Sequence, residues 1–251
     1  MKNALVTGAG QRLGRAMALY LGDRGYNVVV HYRSSEEEAQ IVVAKIKSNG
    51  GNAVAMKADL LVEAEVQNLL PRAAQALGGQ ITCLVNNASI FEPDEVTTAT
   101  RKSWDRSMDS NLRAPFVLTQ SMAAQGLSPT KDGSGEACAA GLIVNMIDQR
   151  VRNLTPEFMT YTMAKMALWG MTKTTAQALG PAIRVNAIGP GPTLRSEDLT
   201  DAEYAAQRAG TILSRGSNPE DITAALGYFL DAPAVTGQLI CADAGQHLGW
   251  Y

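Results

Sequence analysis

The chain has 251 residues, of which 46% are hydrophobic and 18% charged, with a formal net charge of −2. The length fits one large α/β domain with a sizeable core, and the near-zero charge excludes generic nucleic-acid binding, which needs a strongly basic surface. No apolar run is long enough to span a bilayer, and the first residues lack a signal-peptide core, so we expect a cytoplasmic protein without a membrane partner. Three scattered cysteines and two histidines predict neither a disulfide framework nor a metal site.

Short apolar runs alternate with longer segments of helical periodicity along the chain. Seven runs predict strands: NALVT, NVVVHY, NAVAMKA, ITCLVNNA, GLIVNM, IRVNAIG and GQLICAD. The segments that predict helices are 13–24, 36–48, 63–77, 103–124, 159–179 and 219–230. This alternation predicts right-handed βαβ units and a Rossmann fold, with a doubly wound parallel sheet of about seven strands and helices on both faces. Since no change of composition divides the chain, we expect a single domain over 1–251.

A glycine-rich loop, TGAGQRLG, follows the first predicted strand and opens the first helix. Backbone N–H groups at a helix N-terminus can hold a pyrophosphate when bulky side chains stay clear of it. The loop therefore predicts a dinucleotide site with contacts from Gly8, Arg12 and Leu13. A glycine turn without a ligand is the alternative.

The second predicted strand ends in His31-Tyr32-Arg33-Ser34, without the acid that binds the ribose 2′-hydroxyl in NAD-selective sites. Arg33 and Arg12 can donate charge-assisted hydrogen bonds to a 2′-phosphate, and Ser34 offers a hydroxyl. The sequence therefore predicts NADP(H) as the cofactor, with an ordinary exposed arginine as the alternative. His31 either faces the adenine ribose or is a solvated histidine at the strand end.

Tyr161 and Lys165 lie one turn apart on the helix that follows the fifth predicted strand. A nearby cation favours the phenolate and lowers the tyrosine pKa toward working pH, as suits an acid that protonates an atom next to the one receiving hydride. Pairs with this spacing are common on helix surfaces, so the position within a dinucleotide fold carries the prediction.

Through these motifs and several others, the chain resembles the short-chain dehydrogenase/reductase family over essentially its whole length. The matching motifs are TGAGQRLG, Asp59-Leu60, Asn86-Asn87-Ala88-Ser89, Ser110-Asn111, Tyr161 with Lys165, and Pro190-Gly191. The resemblance implies that Lys165 also binds the nicotinamide ribose and that Asn111 helps to hold a proton-relay water.

The same resemblance implies further cofactor contacts and a substrate lid. Residues that flank the adenine, line the cofactor or border the nicotinamide are, in that order, Asp59 and Leu60; Asn87, Ala88 and Ser89; and Pro190 and Gly191. Thr193 matches a position that often contacts the carboxamide or the pyrophosphate. The polar, partly helical stretch at about 192–218 corresponds to the lid.

Three departures from the family pattern point to one branch. Arg12 replaces the middle loop glycine, Ser89-Ile90-Phe91 follows the asparagines, and Asp148 stands where the family has a serine, about a dozen residues before the tyrosine. Together with HYRSS, these departures resemble the pteridine reductase branch, which includes dihydrofolate-reducing bacterial members.

The chemistry of Asp148 fits that branch. A serine hydroxyl donates to a ketone oxygen, whereas an ionised aspartate cannot donate and suits another substrate. Asp148 can orient Tyr161, which then protonates a ring nitrogen, while Phe91 stacks on a flat pterin opposite the nicotinamide. Ser89 and Arg12 can bond to the polar edge of the pterin. The alternatives are a core or interface aromatic for Phe91 and a turn residue for Asp148.

The leading hypothesis is therefore an NADPH-dependent reductase of pterins or dihydrofolate. The alternatives are a carbonyl reductase of another small or cyclic ketone and a non-catalytic NADP(H)-sensing protein. The intact set of Asn111, Tyr161 and Lys165 disfavours the sensor, which needs no acid. The resemblance also implies a homo-oligomer, most simply a tetramer. Apolar residues that 159–179 offers for such pairing include Met163, Met166, Leu168 and Met171.

Overall fold

A parallel seven-stranded sheet forms the centre of the molecule. The computed structural model describes residues 2–196 and 199–249, so Glu197 and Asp198 of the expected lid lie outside the described residues. The strands in chain order are β1 (Asn3–Val6), β2 (Asn27–Tyr32), β3 (Ala53–Lys57), β4 (Cys83–Asn86), β5 (Thr130–Lys131), β6 (Ala137–Cys138), β7 (Gly141–Met146), β8 (Ile183–Pro190) and β9 (Leu239–Ala242). The sheet order is β3-β2-β1-β4-β7-β8-β9, which confirms the predicted doubly wound architecture.

Helices cover both faces of this sheet. They are α1 (Arg12–Asp23), α2 (Glu36–Ser48), α3 (Glu63–Ala76), α4 (Arg101–Met108), α5 (Ala114–Ala124), α6 (Met159–Leu179), α7 (Asp201–Ala209) and α8 (Pro219–Asp231). On one face, Met17 and Phe229 bury α1 and α8 against the strands. On the other, Leu69 and Leu118 bury α3 and α5. Central strands are fully buried because both of their faces are covered, which explains their unbroken apolar sequence.

One predicted helix is interrupted, and one hairpin lies outside the predicted elements. The expected helix 103–124 is interrupted by a π-helical turn, Asp109–Arg113, that joins α4 to α5. The turn carries the fully buried Asn111, in keeping with the frequent presence of such turns at functional sites. The stretch 128–136, a loop by its composition, contributes to the β5–β6 hairpin, whose strands are antiparallel.

The apolar residues of α6 divide between core and surface. Leu168 is only 1% exposed and packs with Ile147 and Val151, so its assignment to a pairing surface is wrong. Met163 and Met166 are 42% and 41% exposed and remain available for pairing. None of the helices within the described ranges has both the length and the apolarity to cross a membrane.

Candidate active site

A cleft of about 650 Å³ opens at the carboxyl ends of the sheet strands, where α/β folds commonly bind ligands. The predicted site residues that line it are Gly8, Arg12, Leu13, His31, Arg33, Ser34, Asp59, Leu60, Asn87, Ala88, Ser89, Phe91, Asp148, Tyr161, Lys165, Pro190, Gly191 and Thr193. The remaining predicted residue, Asn111, lies behind the cleft wall. One concave surface thus brings together segments that are far apart in sequence.

The glycine loop is packed too closely for side chains. A Cβ on Gly14 would lie 2.1 Å from the Gly8 carbonyl oxygen and 2.6 Å from Asn87 Nδ2. Gly8 has φ +61°, a conformation that L side chains rarely adopt. Asn87 Nδ2 donates to the carbonyl oxygens of Thr7 at 2.8 Å and Gly8 at 3.2 Å, which fixes the loop against β4. The backbone therefore reaches the cleft unobstructed, as a pyrophosphate cradle requires.

Arg12 keeps a glycine-like backbone at the position where the family has glycine. Its φ is +51°, a conformation that costs a non-glycine residue roughly 1–2 kcal/mol. Its guanidinium donates to the carbonyl oxygens of Leu194 at 3.0 Å and Arg195 at 2.9 Å. Arg12 thus bridges the phosphate loop and the start of the lid segment.

His31 is buried at the end of β2, at the wall of the cleft. It is 2% exposed, so a solvated histidine is excluded. Its Nδ1 accepts from the Gly8 N–H at 2.9 Å, and its Nε2 lies 3.0 Å from the Ala58 carbonyl oxygen. Both ring nitrogens are engaged within the protein, so His31 fixes the phosphate loop, and its ring also lines the cleft. Burial lowers the pKa of His31 to about 4.

The mouth of the cleft next to His31 is exposed and cationic. Arg33 and Ser34 are exposed and line the cleft, with no carboxylate at the end of β2 itself. On the neighbouring strand end, Asp59 Oδ1 accepts from the Leu61 N–H at 3.0 Å, and Leu60 is buried. The donor set therefore fits a phosphate next to an adenosine.

The centre of the cleft holds a hydrogen-bonded tyrosine–aspartate pair. Tyr161 Oη donates to Asp148 Oδ2 at 2.9 Å, and the Arg150 N–H donates to Asp148 Oδ1 at 2.8 Å. Lys165 Nζ donates to the Met146 carbonyl oxygen at 2.8 Å. The turn after β7 and the first turns of α6 thus place a phenol, a carboxyl and an ammonium group together, and Asp148 is a partner of Tyr161 rather than a plain turn residue.

Burial dominates the ionisation of this group. It raises the pKa of Asp148, against the opposing effect of the Arg150 N–H. Burial and the negative charge of Asp148 raise the pKa of Tyr161 well above its usual range. Burial also lowers the pKa of Lys165 to about 8. The expected lowering of the tyrosine pKa is therefore wrong for this arrangement, because burial and the carboxylate that accepts from Tyr161 both raise it.

Asn111 and Ser89 support the cleft wall from behind. Ser89 Oγ donates to Asn111 Oδ1 at 2.6 Å, and Asn111 Nδ2 donates to the Ile90 carbonyl oxygen at 2.9 Å. The amide of Asn111 therefore holds the loop after β4 against the π-helical turn. At the lid base, Thr193 Oγ1 donates to the Gly191 carbonyl oxygen at 3.0 Å and lies 2.6 Å from Ser217 Oγ. Its hydroxyl thus joins the two ends of the lid segment.

An aromatic wall completes the substrate end of the cleft. Phe91 is 44% exposed, which excludes a core aromatic. Its ring stacks on Phe158 with centroids 4.0 Å apart and planes 5° apart, and it meets Tyr161 edge-on at 4.7 Å. Phe158 escaped the sequence analysis, although its position three residues before Tyr161 was a usable signal. Its φ of +54° is unusual for so bulky a side chain.

A second missed residue anchors α6. Asp94 is buried, and its carboxylate accepts from the Thr160 N–H at 3.0 Å and from Thr160 Oγ1 at 2.7 Å. Burial alone would raise the pKa of Asp94, but the hydrogen bonds from Thr160 hold it below the usual range. A carboxylate at the helix N-terminus is also favoured by the helix dipole. Asp94 therefore fixes the turn that presents Tyr161.

Known proteins share both this fold and much of this sequence. A family model described as short chain dehydrogenase matches residues 2–205. The FolM alternative dihydrofolate reductase 1 of Brucella canis, solved in complex with NADP, is 39% identical, with a TM-score of 0.91 over 100% of this chain and 95% of that one. The angucycline C-6 ketoreductase LanV, with bound NADP, is 31% identical, with a TM-score of 0.88 over 99% and 96%. The 3-oxoacyl-[acyl-carrier-protein] reductase FabG of Staphylococcus aureus (strain Mu50) is 32% identical over 98% of each chain.

Proposed function

The chain belongs to the short-chain dehydrogenase family, and from that premise we propose that it is an NADPH-dependent reductase of a pterin or dihydrofolate-type ring. The observation that carries the proposal is the 2.9 Å hydrogen bond from Tyr161 to Asp148, next to the exposed ring of Phe91. A carboxylate in the place of a donor hydroxyl suits protonation of nitrogen rather than polarisation of a ketone. The exposed aromatic face suits a flat ring.

NADP(H) is the cofactor, in agreement with the cationic mouth of the cleft and with the NADP-bound neighbours. When bound, NADPH supplies the hydride. Arg33 and Ser34 hold the 2′-phosphate, the backbone of the glycine loop holds the pyrophosphate, and Asp59 and Leu60 flank the adenine. At the far end, Lys165 binds the nicotinamide ribose, and Pro190 and Gly191 border the nicotinamide. The backbones of Asn87, Ala88 and Ser89 line the cofactor between these ends.

Tyr161 is the proton donor in this proposal. Its hydroxyl carries the proton at neutral pH, because burial and Asp148 raise its pKa. Asp148 fixes the direction of the phenol, and the Lys165 ammonium stabilises the negative charge left on Tyr161. Ser89 and Arg12 bond to the polar edge of the ring, and Asn111 holds the wall behind Ser89.

A second candidate function is reduction of a ketone. The FabG and LanV relatives favour it, since both are named as ketone-reducing enzymes at about the same identity. The FolM neighbour has the higher identity and favours the first candidate. The carboxylate of Asp148 supports the first candidate, because an ionised carboxylate offers no hydrogen to a ketone oxygen.

We also infer a homotetramer. Met163 and Met166 expose thioether side chains along α6, and Phe116 and Trp104 expose aromatic rings on the neighbouring helices. Paired faces of this kind generate closed two-fold assemblies. A monomer in light scattering at micromolar concentration would contradict this inference.

The test is NADPH oxidation by the purified protein with dihydrobiopterin, dihydrofolate and simple cyclic ketones. We expect turnover with the heterocycles and little with the ketones. The variant Asp148→Ser should lose turnover with the heterocycles and gain it with the ketones, because serine restores a donor. Asp23→Ser, an exposed carboxylate at the end of α1, is the matched control. Ketone reduction without pterin or folate reduction in the wild type would replace the first candidate with the second.

A further inference from the structure

Arg150 contacts both the Tyr161–Asp148 pair and the aromatic stack of Phe91 and Phe158. Its backbone N–H donates to Asp148 Oδ1 at 2.8 Å, so its backbone contacts the Tyr161–Asp148 pair directly. Its guanidinium carbon lies 5.1 Å from the centroid of the Phe158 ring. Phe158 in turn stacks on Phe91, whose edge meets Tyr161. The contacts form a closed circuit from Asp148 through Arg150, Phe158 and Phe91 to Tyr161, and back to Asp148 through the hydrogen bond.

The guanidinium also organises the loop that carries Phe158. Arg150 Nη1 donates to Thr155 Oγ1 and lies 3.5 Å from the Glu157 carbonyl oxygen. These bonds tie the segment before α6 into one turn, at the end of which Phe158 takes its left-handed conformation. A cation over the ring and a hydrogen bond to the preceding residue together hold a backbone that a phenylalanine otherwise disfavours.

The buried part of the Arg150 side chain is incompletely paired. Its Nε is buried without a hydrogen-bond partner, an arrangement that costs stability. Arg150 also lines the cleft. If Arg150 only stabilised the loop, a side chain with all of its N–H groups hydrogen-bonded would stabilise it more. The position of this cation in the cleft wall therefore points to a role in the site.

We propose that Arg150 is a positioning residue that couples the aromatic wall to the Tyr161–Asp148 pair. Its guanidinium sets the plane of Phe158 and, through the stack, the plane of Phe91 on which the substrate ring rests. Its positive charge acts on the carboxylate that orients Tyr161. The inference rests on the proposed function only for the identity of that ring.

The pKa of Asp148 depends on the titratable and charged groups that face it. They are Tyr161 and Lys165 from α6, Arg150 from its own turn, and the Cys241 thiol from β9. Arg150 holds the pKa of Asp148 below the value that burial alone would give. Removal of that cation therefore raises this pKa and moves the acid limb of the activity profile to higher pH, while the hydrogen bond from the Arg150 backbone N–H is kept.

The variants are Arg150→Met, which keeps the apolar stem, Arg150→Lys, which keeps the charge, and Lys131→Met, which removes an exposed cation in β5 as the control. The first readout needs no substrate: ring signals of the four phenylalanines in ¹³C-labelled protein, assigned with Phe91→Leu and Phe158→Leu. Arg150→Met should shift the signals of Phe91 and Phe158 and leave those of Phe116 and Phe229. The control should shift none of them.

The second readout is the pH profile of turnover with whichever compound the wild type reduces. Arg150→Met should move the acid limb upward, Arg150→Lys should restore it, and the control should match the wild type. Unchanged phenylalanine signals in Arg150→Met, or an acid limb shared by all variants, would overturn the inference. A wild type that reduces ketones but no pterin contradicts the proposed function alone, because both readouts remain measurable.

Discussion

The cofactor end and the substrate end of the cleft are constructed in different ways. At the cofactor end, the side chains of His31, Thr7 and Asn87 bond to nearby backbone groups, and the glycine loop leaves no room for a Cβ. At the substrate end, Phe91 is exposed, Phe158 has a left-handed backbone, and Gln149 Oε1 and Arg150 Nε are buried without partners. At the first end, these three side chains are thus engaged within the protein. The second end leaves polar atoms without partners and an aromatic ring exposed, and a ligand can contact these groups.

This difference teaches where specificity resides. A frame that satisfies its own hydrogen bonds can bind the same dinucleotide in many enzymes of the family. Unpaired polar atoms and exposed rings cost stability, and such costs are commonly retained at functional sites. We therefore expect the identity of the substrate to depend on the loop 147–158 and Phe91 rather than on the sheet.

Substitution of the proton donor, Tyr161, should have the greatest effect on turnover, and it distinguishes the substrate end from the cofactor end. Tyr161→Phe removes the hydroxyl and keeps the ring, so turnover should fall by about 100-fold or more, while NADPH affinity stays unchanged. Steady-state kinetics and fluorescence titration with NADPH measure the two quantities. Lys165→Met, which touches both ends, should lower both. Ordinary turnover in Tyr161→Phe would rule out this assignment.

The next effect concerns the stability of the cofactor frame. His31 is buried and neutral, with a pKa lowered to about 4 from 6.5. As pH falls, His31 therefore takes up a proton in the unfolded chain before it does so in the folded one. The contribution of neutral His31 to the free energy of unfolding is fully present above pH 6.5 and is lost between pH 6.5 and about 4. The loss should be about 3 kcal/mol in the free energy of unfolding.

Urea denaturation across that pH range measures it. His31→Gln, which cannot be protonated, should weaken the acid dependence. His247→Gln, which alters the other histidine, should preserve it because His31 is intact. Equal acid dependence in wild type and His31→Gln would show that the frame does not depend on this residue.

Cofactor selectivity tests the cationic mouth. Arg33→Asp removes one charge-assisted partner of the 2′-phosphate and adds a repulsive charge, so NADPH binding should weaken by roughly 1.5–3 kcal/mol, with little change for NADH. Lys47→Asp makes the same change of charge at the exposed end of α2 and should leave the ratio of affinities unaltered. Equal affinity of the wild type for both cofactors would refute the selectivity.

The smallest effect tests the aromatic wall. Phe91→Ala should raise the KM for the heterocycle, because a stacking partner worth about 0.5–1.5 kcal/mol beyond its buried area is lost. NADPH affinity should not change. Phe91→Tyr keeps the ring and should behave as the wild type does. An unaltered KM in Phe91→Ala would mean that the substrate ring does not rest on Phe91.

Sequence patterns predicted the frame and the pairing of Asp148 with Tyr161, but not the other contacts at the substrate end. The seven strands follow from apolar runs, and the positions of Tyr161 and Lys165 follow from helical spacing. The burial of His31 was missed because the end of a strand gives no sign of what covers it. The direction of the Tyr161 pKa shift was missed because it depends on how deeply the folded chain buries the phenol and on the distance to Asp148. Phe158 lies in a loop without periodicity, so only the folded chain shows that it meets Phe91.

The π-helical turn Asp109–Arg113 changes how the helical segment from Arg101 to Ala124 directs its side chains. Each residue of an α-helix advances the side chains by about 100°, since a turn takes 3.6 residues. The wider turn resets this angular phase between α4 and α5, so one continuous backbone can present α4 to α6 and α5 to α3. Deletion of a single residue there would bring the two halves into one phase and rotate Asn111 away from Ser89 and Ile90.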